Sequence, residues 1–83
     1  MKVLTESKSF ITIRVEADDV RALADKWPCS GLNRDNGMLC EFDKRNGDLV
    51  DIDDAAMHPG ADGAAVSALV DDAKAFAQLL VKW

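Results

Sequence analysis

The stretch Met38–Asp54, MLCEFDKRNGDLVDIDD, decides the fold. Met38, Cys40 and Phe42 alternate with Leu39, Glu41 and Asp43, while Val50 and Ile52 alternate with Leu49, Asp51 and Asp53. Period-2 alternation marks strands with one buried face, so two strands are expected, each apolar on one side and acidic on the other. A two-residue Asn46-Gly47 turn would set Asp43 against Val50 and Glu41 against Ile52, mixing carboxylates into the apolar face, which a buried face disfavours. A three-residue loop, Arg45 to Gly47, puts Gly47 at the left-handed position such loops need and pairs Lys44 with Asp48. The expected register is Phe42 opposite Val50, Glu41 opposite Asp51, Cys40 opposite Ile52 and Leu39 opposite Asp53.

This register gathers Glu41, Asp43, Asp51 and Asp53 on one surface, with Asp48 and Asp54 at the ends of the second strand. Like charges directly opposite destabilise a sheet by some tenths of a kcal/mol. A basic residue on a neighbouring strand, with Arg14 the candidate, would relieve the repulsion; otherwise the face is shaped for a cationic partner.

Working toward the N-terminus, Phe10 to Val15 reads as a strand with Ile11, Ile13 and Val15 on one side, and Lys2 to Thr5 as a shorter one. Asp18 is expected to cap a helix in which Val20, Leu23, Ala24 and Trp27 form one apolar stripe, ended by Pro28. A polar loop, Asn33 to Gly37, leads into the hairpin. Toward the C-terminus a turn-rich connector containing His58 precedes a helix expected over Gly63 to Val81, capped by Asp62. Its stripe is Val66, Leu69, Val70, Ala73, Phe76, Ala77 and Leu80, which leaves Leu79 and Trp83 off the stripe, with Trp83 an exposed candidate contact residue.

These elements predict a single α+β domain over residues 1–83: an antiparallel sheet of three or four strands, two helices packed on one face as a second layer, and element order ββαββα. At 83 residues a chain buries roughly 60–65 % of its unfolded surface. No apolar run approaches the roughly 20 residues of a membrane span and the first residues lack a signal-peptide core, so a cytoplasmic protein is expected.

The net charge of -5 is unevenly spread. Residues 1–45 carry eight acids and eight bases, whereas residues 46–83 carry seven acids against Lys74 and Lys82. This field disfavours nucleic acid and acidic membranes as direct ligands and favours a basic protein surface.

Catalytic and metal chemistry find little support. Cys29, in WPCSG, follows a helix end, where the last carbonyls disfavour a thiolate, and His58 is the sole imidazole. Cys29, Cys40 and His58 lack the paired spacing of a zinc site. The segment FDKRNGDLVDID departs from a calcium loop, with Arg45 where an oxygen ligand is needed and Gly47 one place early. No enzyme, cofactor or metal site is expected; the alternatives are a thiol-dependent or metal-binding small enzyme using Cys29, and a structural homo-oligomer, for instance a homodimer held through Trp83 and Leu79.

The segments WPCSGL, Trp27 to Leu32, and NGDLVDID, Asn46 to Asp53, resemble segments of small accessory proteins of phages and mobile elements. The chain is similar in size and charge to anti-CRISPR proteins, several of which are acidic and occupy the nucleic-acid-binding surfaces of Cas proteins. This resemblance implies an inhibitor that binds a Cas or other nucleic-acid-binding protein, and it transfers no site residue. The site expected from the residues themselves is Glu41, Asp43, Asp48, Asp51, Asp53, Asp54 and Trp83.

Overall fold

A computed structural model describes residues 1–53 and 61–83. Its elements are β1 (Lys2–Glu6), β2 (Phe10–Val15), α1 (Ala17–Lys26), β3 (Met38–Asp43), β4 (Leu49–Asp53) and α2 (Gly63–Ala77), in the order ββαββα. The strands form one four-stranded antiparallel sheet in chain order, β1-β2-β3-β4. Each strand therefore lies beside its sequence neighbour, even across α1.

The inward side of the central strands is the core. Ile11, Ile13 and Val15 of β2 alternate with half-buried or exposed Thr12 and Arg14, and Met38, Cys40 and Phe42 of β3 join them. Helix α2 packs on β2 and β3, and α1 touches α2. The buried seam of α2 is Ala65, Leu69, Ala73 and Ala77, spaced four residues apart, with Val66, Val70 and Phe76 flanking it half-buried. Alanines on the seam let the helix lie close to the strands. From α1, Val20 and Ala24 are buried, while Leu23 and Trp27 pack alongside.

The central hairpin differs from expectation in a compensated way. The Asp43 N–H donates to the Asp48 carbonyl at 2.9 Å and the Gly47 N–H donates to the Asp43 carbonyl at 2.8 Å, so the loop is Lys44 to Gly47 and Lys44 does not pair with Asp48. Four loop residues replace three because two side chains bind the backbone two residues on: Asp43 Oδ1 accepts from the Arg45 N–H and Asn46 Oδ1 from the Asp48 N–H. Gly47 is left-handed, φ 78°, as expected. The longer loop sets Phe42 opposite Leu49, and Val50 then bulges out of the ladder. From Glu41 onward the expected pairs hold: Glu41 with Asp51, Cys40 with Ile52, Leu39 with Asp53. Val50, expected in the core opposite Phe42, is instead 47 % exposed.

Two helix boundaries also shift. The N-cap of α1 is Glu16 and not Asp18; Glu16 and Asp19 form a reciprocal capping box, and Asp18 pairs with Arg21 at 2.8 Å. Helix α2 begins as expected, with Asp62 accepting from the Ala64 N–H at 2.9 Å, but ends at Ala77, four residues before Val81. Leu79 and Leu80 are consequently exposed. The early stop brings the chain back to the hairpin: the Trp83 indole N–H donates to the Lys44 carbonyl at 2.9 Å, and its ring lies 6.0 Å from that of Phe42.

The junction before β3 has no room for a side chain. A β-carbon on Gly37 would stand 2.1 Å from the Val15 carbonyl oxygen, whereas one on Gly63 meets nothing within 4 Å. Gly37→Ala is expected to cost about 2–3 kcal/mol through forced backbone displacement, a fall in Tm of about 10–20 °C. Gly63→Ala should leave Tm unchanged or slightly raised. Thermal denaturation of the two variants checks the contrast.

Candidate functional site

The outer face of the sheet collects the sequence-expected acids, but not all of them. Glu41 of β3 faces Asp51 of β4, with Thr12 of β2 on its other side, and Asp53 lies one row along, opposite Leu39. Thr12, Leu39, Glu41, Asp51 and Asp53 line a shallow depression of about 110 Å³. Glu41, Asp51 and Asp53 form no ion pair with any described residue. Arg14, expected to relieve their repulsion, sits in the row opposite Leu39 and forms no ion pair with a described residue either. Three carboxylates of β3 and β4 therefore stand together with no cation paired to them among the described residues, while Arg14 and Lys2 lie across the same face on β2 and β1.

Asp43 stands apart from that group. It is buried at the strand end, and its carboxylate is held by Arg45 through contacts at 3.0 Å from Nε, 2.6 Å from the terminal nitrogen and 2.8 Å from the backbone N–H. The Arg45 side-chain hydrogen bonds, with its backbone N–H next, hold the Asp43 carboxyl down at about 2 against an ordinary 3.8. In return Asp43 raises the Arg45 guanidinium above its usual range. Asp43 is a turn-forming carboxylate.

Of the remaining expected residues, Asp48 is exposed in the turn, with its N–H on Asn46 and its carbonyl taking the Asp43 N–H. Trp83, expected exposed, is half-buried against the turn, where Gly47 leaves space for its ring: a β-carbon on Gly47 would lie 3.0 Å from the indole. Asp54 and His58 lie outside the described residues. Asp51 has a second role, accepting the Ile52 N–H on Oδ1 at 2.9 Å.

Both cysteines are free thiols. Burial pushes the Cys40 thiol up to about 11, as suits its place in the core, and Cys29 is exposed after α1. Among the described residues no three His, Cys, Asp or Glu side chains are grouped so as to hold a metal ion. Nor is any described helix long and apolar enough to cross a membrane. No protein-family model matches the chain, and no significant match was found among curated proteins or solved structures.

Sequence pattern alone missed the neighbours that shape this face. Thr12 borders the acids only because β2 lies beside β3, and Thr5 joins Thr12 on the outer side only because β1 is irregular between Val3 and Thr5. Neither fact has a local signal.

The depressed Asp43 carboxyl makes a signed prediction. Its contribution to stability is fully present above pH about 4, where the unfolded carboxyl is also charged, and is lost as pH falls through about 2. Asp43→Asn is expected to lower Tm at pH 7, and the gap to wild type should narrow between pH 4 and pH 2. Calorimetric or circular-dichroism melts across that window provide the measurement.

Proposed function

We propose that this chain is a binding protein that docks its acidic outer sheet face, Glu41, Asp51 and Asp53 with Asp48 at the margin, on a basic surface of a partner protein. The observation that carries this reading is the Glu41–Asp51 pair: two carboxylates directly opposite each other, with Asp53 beside them and no ion pair from any of the three to a described cation. Such an arrangement costs the isolated sheet some stability, and a cationic partner turns the cost into attraction. Basic protein surfaces of this kind commonly bind nucleic acid, so the chain acts as an inhibitor that competes with nucleic acid, in the manner of anti-CRISPR proteins on Cas proteins, as a phage or mobile-element accessory protein in the cytoplasm.

In this reading both helices form a second layer on the inner face, leaving the outer face free for the partner. The burial of Ile11, Ile13 and Val15 on one side of β2 supports it, with Val20 of α1 and Leu69 of α2 in the same cluster. Exposed Leu4 and Phe10 and half-buried Leu39 give the face apolar contacts beside its charges. Trp83 and Asp43 serve the site indirectly, by fixing the turn that sets the register of the acids.

Affinity capture from the native host identifies the partner, and kinetics of the purified pair then test the face. Asp51→Lys with Asp53→Lys should keep the fold, since both residues are exposed. The association rate should fall about 10- to 100-fold and its salt dependence flatten, because steering by exposed charges is screened over about 8–10 Å. Reversing Asp18 and Asp19 should instead cost about 1–2 kcal/mol of stability by breaking the α1 capping box, with partner affinity of the folded protein unchanged. A hairpin double variant that binds as tightly as wild type at low salt would falsify the proposal.

A further inference from the structure

On the outer face one residue from each strand, Lys2, Arg14, Leu39 and Asp53, forms a cross-strand row over the whole width of the sheet. A second depression lies over this row, about 270 Å³ in volume, lined by Leu4, Arg14, Asn36, Gly37, Leu39 and Asp53 among others. Its polar groups are of opposite sign and sit at opposite sides, with Leu39 between them. Each of the other three arginines has an ion-pair partner, Arg21 with Asp18, Arg34 with Asp25 and Arg45 with Asp43. Arg14 has none among the described residues and does not reach Asp53.

We propose that this depression is a binding site for a small zwitterion of the α-amino-acid class. The ligand's carboxylate accepts from the Arg14 guanidinium, its ammonium donates to the Asp53 carboxylate, and a short apolar side chain lies on Leu39 and Leu4. Arg14 on β2 and Asp53 on β4 stand in the same row two strand steps apart, about 9.6 Å between backbones, so they flank the depression from opposite sides, and a ligand that bears both charges can meet each with its opposite. A simple amine or a simple acid satisfies only one end. The volume lies below the roughly 300–1,000 Å³ of drug-sized pockets, which selects a ligand of few atoms.

The site shares Asp53, Leu39 and Leu4 with the partner-docking reading but needs Arg14 as well, which that reading does not use, so Arg14→Gln separates the two. The test is an NMR titration of the full chain with L-leucine, alongside 3-methylbutylamine and 4-methylpentanoate as one-ended analogues. L-leucine is expected to shift the Gly37, Leu39 and Asp53 amides saturably, with Kd of about 1–10 mM for so small a ligand. Both analogues should bind at least tenfold more weakly. Arg14→Gln and Asp53→Asn should each weaken L-leucine at least tenfold while leaving the rest of the spectrum in place, since both residues are exposed. Shifts that stay linear to 100 mM, analogues that bind as well as L-leucine, or an Arg14→Gln protein with unchanged affinity would each overturn the proposal.

Discussion

The outer face depends on a cancellation inside one hairpin. The loop from Lys44 to Gly47 carries one residue more than the simplest turn for this pattern, which by itself would move every later residue of β4 one place along β3. Because side chains alternate with period 2, a one-place slip would turn Asp51 and Asp53 toward the core and Ile52 toward water. The bulge at Val50 absorbs the extra residue before that happens. The turn and the bulge are thus one device in two places, and neither works without the other. Asp43 and Asn46 fix the first part by binding the loop backbone, and Trp83 secures it from outside by taking the Lys44 carbonyl.

This explains which features were legible in the sequence. Alternation reports which residues share a face, and it correctly identified the pairs from Glu41–Asp51 to Leu39–Asp53 and the left-handed Gly47. It could not report the loop length, because a three-residue loop without a bulge and a four-residue loop with one give the same pairs beyond Glu41. Val50 is where the two solutions differ, and it went from core to surface. The deciding interactions are Asx-type bonds, which Asp and Asn offer in many contexts without committing to them.

Helix ends were legible only as far as their local chemistry went. Asp62 caps α2 as a short acceptor should. At α1 several acids compete for the cap within four residues, and Glu16 prevails because Asp19 returns the bond to its N–H. The stop of α2 at Ala77 is a tertiary effect: a helix continued to Val81 would carry Trp83 away from the turn, where its indole buries apolar area and gains a hydrogen bond. The acids of the candidate site were readable as a group because they share one strand face. Leu39 shares a strand with Glu41, but Leu4, Thr12 and Arg14 come from strands distant in sequence, so their company is set by sheet order.

The irregularities at the margins of the sheet bear on how the chain behaves when crowded. Both outermost strands, β1 and β4, break register once, at Val3–Thr5 and at Val50, and in β4 the Ile52 N–H is occupied by the neighbouring Asp51 carboxylate. An open strand with regularly spaced free amides is a template on which other chains add, the first step toward fibrils. Here neither margin offers an unbroken template, and β4 also carries like charges that repel a second β4.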